Sequence, residues 1–292
     1  MKAPGAISLK NINDQTRIGP DLKRSSKEDG LLEIERAFEA AAPLTITYDV
    51  KPIQNPYFTE FTYFDFLKDG LYFGSMSAEI NARMIEQAVH NGDPDLEIVH
   101  RLRDNFKDKY ELNQTISSKA ATKVVFLPGS NLRHIVDSSK LDRILYDNPE
   151  FLIKPHPITT PEGLKDLGLQ YGWNRIIDPN ESGLMYLLGA EVVVTTANSE
   201  LSLVANMFDK MWVDVTHTKH LKECSYAPIS KMFRELDHKY NNRVMASIFN
   251  SKQSGVMFSW QQDIDERIES YIDSVMNLRE FFKPRWAGTF KL

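Results

Sequence analysis

A histidine held between two prolines is the first candidate for chemistry in this sequence. The run FLIKPHP, residues 151–157, places Lys154 and His156 directly after apolar residues that predict a short buried strand. Two prolines fix the backbone around His156, so we expect its imidazole at the sheet edge, directed into the crevice beyond the strand. A histidine and a lysine at such a place suit an anion such as phosphate. The alternative is a turn histidine that bonds a backbone carbonyl.

The ends of the other predicted strands are small and hydroxylated. Hydroxyl groups and the backbone N–H groups at helix N-termini both favour a bound anion. The candidate anion-binding residues, besides Lys154 and His156, are Gly129, Ser130 and Arg133 after one strand and Asn198, Ser199 and Glu200 after another. Together these residues predict a phosphate-binding surface.

Strand and helix patterns alternate five times between residues 121 and 216. The predicted strands are KVVFLPGS (which ends at Pro128-Gly129), FLIKPHP, RIIDP, EVVVTT and MWVDVT, and residues 131–147 between the first two predict one helix. This alternation predicts an α/β fold with a parallel sheet covered by helices on both faces. In such a sheet, ligands bind beyond the carboxyl ends of the strands, where the candidate residues lie.

The remainder of the chain is less regular. Residues 43–50 predict a strand, residues 77–92 and 93–112 predict helices, and residues 55–75 are dense in aromatic side chains. Residues 261–282 predict a long amphipathic helix with one apolar stripe.

Composition narrows the possible functions. The net charge of -5 argues against a protein that is basic all over, and the single cysteine, Cys224, excludes an internal disulfide and a multi-cysteine zinc site. No apolar run is long enough for a secretory signal or a membrane span, so we expect a cytoplasmic protein. His217 and His220 have helical spacing, but no carboxylate or cysteine completes a set with them, so we expect no metal.

The first 27 residues hold six Lys and Arg against two Asp. A solvated leader and a nucleic-acid contact are both consistent with this charge. The triplet Glu28-Asp29-Gly30 follows a polar segment and not a strand, which favours a chance match to an acidic catalytic motif.

The segment from VVFLPGS through IKPHP and RIIDP to VVVTTANSELSLVAN resembles the donor-binding domain of GT-B glycosyltransferases. It is most similar to the group with a K-P-H-P or H-P motif: capsule and polysaccharide glycosyltransferases, bacterial sialyltransferases and CDP-glycerol glycerophosphotransferases. The resemblance covers residues 121–216, about a third of the chain. It implies that His156 contacts the donor phosphate and that Gly129 and Ser130 lie against the diphosphate. Asn198 and Ser199 match a hydroxyl pair that also binds phosphate.

The resemblance is incomplete at the residues that bind the ribose of the donor nucleotide. Many members carry a glutamate four or five residues after the hydroxyl pair, where this chain has Leu203, Val204 and Ala205. Glu200 stands one turn earlier. The donor sugar is therefore expected to be linked to UDP, CMP or CDP, and the sequence does not distinguish among these nucleotides. The resemblance also implies that the donor binds without a metal held by the protein.

A catalytic base is expected from the first half of the chain. Asp65 and Asp69 lie in the aromatic segment, where burial would raise the pKa of a carboxylate toward that of a useful base. An aromatic core segment with a turn at residues 68–70 is the alternative. The aromatic residues could stack on a sugar or on a flipped base.

These observations predict two Rossmann-like domains in a GT-B-like arrangement. Residues 1–118 would form a small acceptor-side domain, residues 119–258 the donor domain, and residues 259–292 a helix that packs across the interface. The expected activity is sugar transfer to a hydroxyl acceptor, including a hydroxymethylated base of phage DNA. The alternatives are a glycan or lipid-linked acceptor, sialyl or glycerophosphate transfer, and nucleotide binding without catalysis.

Overall fold

The computed structural model describes residues 30–41, 46–48, 61–67, 69–75, 77–109, 122–234 and 240–286. The fold is α/β, and the chain divides into two compact units. Unit 1 contains the described residues of Met1–Ile98 and Arg243–Leu292, and unit 2 is Val99–Asn242. These limits differ from the predicted domain ends at residues 118 and 258. One reason is that residues 256–258 form a strand of the sheet in unit 1.

The described helices and strands are as follows. The α-helices are α1 Leu31–Ala41, α2 Ala78–Asn91, α3 Glu97–Lys109, α4 Ser138–Asp147, α5 Pro161–Tyr171, α6 Gly183–Gly189, α7 Leu201–Met207, α8 Ala227–Arg234, α9 Asn241–Asn250 and α10 Ile264–Trp286. The strands are β1 Ile46–Tyr48, β2 Phe61–Leu67, β3 Gly70–Ser75, β4 Lys123–Phe126, β5 Leu152–Lys154, β6 Val192–Thr195, β7 Met211–Asp214 and β8 Val256–Phe258. Short 3-10 helices are Ser130–Ile135, Trp173–Arg175 and Thr218–Glu223.

The sheet of unit 1 is mixed and has the strand order β1-β2-β3-β8. β1 pairs with β2 in parallel, whereas β2 with β3 and β3 with β8 are antiparallel. Only residues 68 and 69 separate β2 from β3, and so short a connection can join only antiparallel neighbours. The described strands of unit 1 therefore do not form the parallel, Rossmann-like sheet expected for the acceptor-side domain.

The apolar core of unit 1 joins this sheet to helices α1, α2 and α10. Phe38 of α1 stacks on Phe73 of β3 with ring centroids 4.2 Å apart. The predicted stripe of α10 is confirmed, because Ile268, Tyr271 and Val275 are buried in the same cluster. The stripe belongs to the core of unit 1, and the expected packing of this helix across a domain interface stays a prediction. Neither α10 nor any other described helix is long and apolar enough to cross a membrane.

The sheet of unit 2 is parallel throughout and has the order β5-β4-β6-β7. The predicted third strand, RIIDP, is wrong as a full strand: it makes one parallel bridge, Ile176 to Ile153, beside β5. A 3-10 helix ends at Arg175 and Pro179 lacks an N–H, so few residues are left to pair. The core contains Val125, Ile153 and Val194 with apolar residues of α4 and α5.

The single helix predicted for residues 131–147 is also wrong. A 3-10 helix ends at Ile135, Val136 bridges to Thr216, and α4 starts at Ser138. Asp137 accounts for the restart, because its side chain caps α4 by accepting a 3.0 Å hydrogen bond from the Lys140 N–H.

Candidate functional site

The order of the parallel strands in unit 2 locates a crevice. Along the chain, the parallel segments come in the order β4, β5, the Ile176 bridge, β6 and β7. Across the sheet, their order is the Ile176 bridge, β5, β4, β6 and β7. The strand that follows β4 in the chain, β5, lies on one side of β4, whereas β6 lies on the other side. Loops diverge at such a switch point, which is where open α/β sheets bind their ligands. The sequence had not predicted the strand order.

The loops after β4 and β5 meet at this edge of the sheet. The Thr160 N–H donates a 3.1 Å hydrogen bond to Ser130 Oγ. A Cβ on Gly129 would lie 2.6 Å from the Ile158 side chain, so a larger residue at this position would require that side chain to move. Two predicted phosphate-binding segments are thus brought together, although they are separated by α4 and β5 in the chain.

His156 is exposed in the loop after β5, as predicted. Its Nδ1 accepts a hydrogen bond of 3.3 Å from the Ile158 N–H, while its carbonyl accepts one of 2.9 Å from the Thr159 N–H. A backbone N–H can only donate, so Nδ1 is the acceptor in this hydrogen bond. In this turn Nδ1 therefore does not donate to a backbone carbonyl.

Lys154 is placed differently from the prediction. It is buried, and its ammonium donates to the carbonyls of Pro155 at 3.0 Å and Pro179 at 2.8 Å. Burial lowers the pKa of Lys154, while the nearby Asp178 and Glu181 carboxylates act in the opposite direction. The side chain fastens β5 to the segment after the Ile176 bridge. These contacts show a structural role, and its assignment to a phosphate stays a prediction.

The loop after β6 is partly committed to internal contacts. Asn198 Oδ1 accepts a 3.1 Å bond from the Ser225 N–H, and Ser199 Oγ accepts a 3.3 Å bond from the Leu201 N–H. Glu200 is half-buried at the start of α7 and makes no side-chain cap. The hydroxyl hydrogen of Ser199 and the amide hydrogens of Asn198 are the donors these groups can offer to a ligand.

Three hydroxyl oxygens near the strand ends are buried without a hydrogen-bond partner. They belong to Thr159 after β5, Ser182 before α6 and Thr196 after β6. A buried polar atom left without a partner costs about 1–3 kcal/mol, so such atoms cluster where a ligand completes the hydrogen bonding. The sequence places Ser182 and Thr196 at the ends of predicted strands, but it does not single out Thr159 and does not reveal that the three hydroxyls lack partners.

Arg133 and the loop after the Ile176 bridge do not add to the positive charge that was expected at this edge of the sheet. Arg133 is exposed. Burial and the Asp142 hydrogen bond raise the pKa of Tyr171 at the C-terminal end of α5, and the charge of Arg133 acts to lower it. The loop after the Ile176 bridge carries the exposed carboxylates of Asp178 and Glu181, so this part of the edge is acidic.

The expected catalytic carboxylates lie in unit 1. Asp65 pairs with Leu71 in the β2–β3 hairpin, and its side chain lies outside the described residues. Asp69 stands in the hairpin turn, where its carbonyl accepts a 2.8 Å bond from the Ser259 N–H. The alternative interpretation of residues 68–70 as a turn is thus confirmed at Asp69, whereas Gly70 already begins β3. The basic leader and the Glu28-Asp29 pair lie outside the described residues.

A carboxylate and a further histidine lie near His220, whereas His217 is not part of this group, and the expectation that the protein holds no metal stays a prediction. Glu223 follows His220 by one turn of 3-10 helix, and His134 comes from the helix after β4. The spacing of three residues between His220 and Glu223 is visible in the sequence and could have indicated that they lie together. The approach of His134 could not be predicted, because only the folded chain brings it close to His220.

A surface cavity of about 450 Å³ lies in unit 1. Arg83 and Gln87 of α2 and Asn277 and Phe281 of α10 contribute to its wall. None of the predicted site residues lines it.

Comparisons with protein-family models, with curated proteins and with solved structures found no match. The resemblance to GT-B glycosyltransferases therefore stays a prediction.

Proposed function

We propose that the protein is a nucleotide-sugar-dependent glycosyltransferase whose donor binds at the switch point of unit 2. The observation that carries the proposal is the junction of the loops after β4 and β5, where the Thr160 N–H donates to Ser130 Oγ and the exposed His156 ring lies in the adjoining turn. Backbone turns, hydroxyls and a histidine together suit the oxygens of a diphosphate.

In the proposed reaction, the acceptor hydroxyl attacks the anomeric carbon as the bond to the nucleotide diphosphate breaks. The developing negative charge on the leaving phosphate is stabilised by His156 and by the loops of Gly129, Ser130 and Ser199. Asp65 or Asp69 of unit 1 is the proposed base that takes the acceptor proton. This assignment requires the two-domain GT-B arrangement, which is part of the proposal.

The proposed donor carries UDP, CDP or CMP. Glu200 is the acidic side chain nearest in sequence to the ribose-binding position of the resembling families, and it is half-buried at the start of α7. It is therefore the proposed ribose contact.

The proposed acceptor is a hydroxymethylated DNA base, with a glycan as the alternative. The basic leader is the feature that supports DNA, because Lys and Arg neutralise phosphates. A base inside a duplex would have to be flipped out before transfer.

Nucleotide binding without catalysis is the second candidate function. The observation that favours it is the burial of Leu203, Val204 and Ala205, which are each 0% exposed. These residues occupy the ribose-binding position of the resembling families but face the core, so the donor's ribose loses that contact.

A donor panel distinguishes the two functions. The purified full-length protein would be incubated with UDP-, CDP- and CMP-linked sugars and hydroxymethylated DNA or glycan acceptors, and the products read by mass spectrometry. Transfer from any donor supports the glycosyltransferase. Nucleotide binding with neither transfer nor donor hydrolysis would establish the silent binder instead.

A further inference from the structure

A histidine–carboxylate cluster lies beside the parallel sheet of unit 2. Nitrogen atoms of His134 and His220 and a carboxylate oxygen of Glu223 all lie within 4.8 Å of one another. His220 Nδ1 is 3.1 Å from Glu223 Oε1, and the ring centroids of His134 and His220 are 5.3 Å apart. None of these residues belongs to the candidate donor-binding set.

Two 3-10 helices hold the cluster in place. His220 and Glu223 are three residues apart in Thr218–Glu223, and a 3-10 helix has about 3.0 residues per turn, so their side chains project on the same side. His134 lies in Ser130–Ile135. The His217 N–H donates to the Ile135 carbonyl at 2.8 Å, which joins the second helix to the end of the first. The ligand-bearing segments are therefore fixed by the backbone and not by the side chains alone.

A second set of backbone contacts supports this junction. Val136 and Thr216 form an antiparallel bridge, and the Asp137 N–H donates to the Val215 carbonyl at 2.8 Å. The segment after β4 and the segment after β7 thus run side by side, and the cluster spans them.

The distances match those expected around a single tetrahedral ion. Ligand atoms about 2.1 Å from such an ion lie about 3.4 Å from one another, and two bound imidazole rings have centres about 5.2 Å apart. The observed 3.1 Å and 5.3 Å are close to these values. His134 is exposed, so rotation of its side chain can close the longer separations without moving the backbone.

We propose that His134, His220 and Glu223 bind one divalent transition-metal ion of the zinc class. Two imidazole nitrogens and one carboxylate oxygen are ligands that zinc accepts, whereas calcium and magnesium prefer sites made of oxygen atoms. Three protein ligands leave a fourth position open to water or to a small ligand. The ion would also cross-link the segments that follow β4 and β7.

This proposal does not rest on the proposed donor site. A protein that binds no nucleotide could still bind the ion, and a donor site that functions without metal would leave the proposal intact.

The test uses the full-length protein, stripped with a chelator and titrated with Co²⁺, whose visible absorption reports tetrahedral binding; Zn²⁺ is then added as competitor. We expect one Co²⁺ per chain, displaced by Zn²⁺. His134→Ala should weaken binding by at least about 100-fold, more than the 10- to 100-fold typical of residues that only orient a ligand. Glu223→Gln should weaken it in the same direction, because the ligand charge is lost.

His100→Ala is the matched control, since His100 is an exposed histidine of the same unit outside the cluster. It should bind Co²⁺ as the wild type does. Because His134 is exposed, its replacement should leave thermal unfolding of the metal-free protein unchanged, so a loss of binding is not a loss of fold. The proposal is overturned if the wild type shows no tetrahedral Co²⁺ spectrum, or if His134→Ala and the wild type bind equally.

Discussion

The two sheets of this protein end their strands in different ways. In unit 1, β1 and β2 are parallel, but β2 and β3 form a hairpin and β8 pairs antiparallel with β3, so the described strands end at both edges. In unit 2, β4 to β7 all run in the same direction, and each strand delivers its following loop to one edge. Hydroxyls and a histidine that are scattered along the chain are therefore collected in unit 2.

The sheets also differ in what surrounds them. β3 is buried along its whole length, and Leu71 and Phe73 join a core with α1, α2 and α10. The carboxyl edge of unit 2 instead presents exposed residues such as Ser130 and His156. The comparison teaches that strand direction, and not membership of the α/β class, decides where polar residues gather. Substitutions in the core of unit 1 should therefore change stability, and those at the edge of unit 2 should change binding.

The largest effect is expected in the core of unit 1, at Gly255. Its φ is +79°, and an added Cβ would lie 2.3 Å from the carbonyl oxygen of Phe73. Gly255→Ala should lower the free energy of unfolding by about 4 kcal/mol, from backbone strain and this clash, without altering nucleotide affinity in the folded fraction. Urea denaturation measures the loss.

Gly172→Ala is the matched control for that substitution. Gly172 has a φ of +94°, but its added Cβ would meet only the Asn174 side-chain oxygen. It should cost about 1 kcal/mol, from the backbone conformation alone. Equal losses at the two glycines would show that the tight packing against β3 has no energetic consequence.

The next effect is expected at the edge of unit 2. His156→Ala should slow sugar transfer about 100-fold, as for loss of one group that stabilises the leaving charge, and change stability by less than about 0.5 kcal/mol. Steady-state kinetics and denaturation measure the two quantities. His100→Ala, which removes another exposed histidine of unit 2, should be neutral in both. Unchanged transfer in His156→Ala would remove the histidine from the mechanism.

Lys154 is a test of the comparison between the two units, because it lies at the carboxyl edge of the unit 2 sheet but its ammonium group donates to carbonyls of the protein. Lys154→Met should cost about 1–2 kcal/mol at neutral pH, since the carbonyls of Pro155 and Pro179 lose a donor. Burial lowers the folded-state pKa of Lys154, so the unfolded chain binds more protons in the alkaline range. The stability of the wild type relative to the variant should then rise as the pH increases from 7 toward 10.

Chemical denaturation across that pH range tests the sign. A relative stability that falls with pH would mean that the folded protein holds the Lys154 proton more tightly than the unfolded chain does, contrary to its burial.

The smallest effect concerns the leader, which lies outside the described residues. If DNA is the acceptor, replacing Lys23, Arg24 and Lys27 by alanine should flatten the dependence of log affinity on log salt by up to about one unit per lost phosphate contact. Gel-shift titrations measure this slope. An absence of duplex and single-strand binding at low salt would retire the DNA acceptor.

The sequence predicted the parts of the fold that have a strong local pattern. Apolar, β-branched runs identified β4 and β6, and the stripe of Ile268, Tyr271 and Val275 identified α10. It was wrong at RIIDP because a short apolar run does not reveal how many of its residues find a neighbouring strand. It was wrong at residues 131–147 because the cap at Asp137 was hidden inside a helical pattern.

The site was predictable only at the level of segments. The ends of β4 and β5 can be recognised in the sequence, so the positions of Gly129, Ser130 and His156 in the loops that follow could be predicted. The internal bonding of Lys154 depends on the carbonyl of Pro179, and the approach of His134 to His220 depends on the tertiary fold. Neither leaves a periodic signal in the chain.

Calorimetric titration of the full-length protein with UDP, CDP and CMP, each compared with its nucleoside, tests the central claim most directly. The account predicts that at least one of these nucleotides binds, that the matching uridine or cytidine binds far more weakly, and that His156→Ala weakens the nucleotide while leaving the nucleoside unchanged. These differences isolate the phosphate groups from the base and ribose. Equal binding of nucleotide and nucleoside, no binding of any nucleotide, or unchanged affinity in His156→Ala would contradict a phosphate site at the switch point of unit 2.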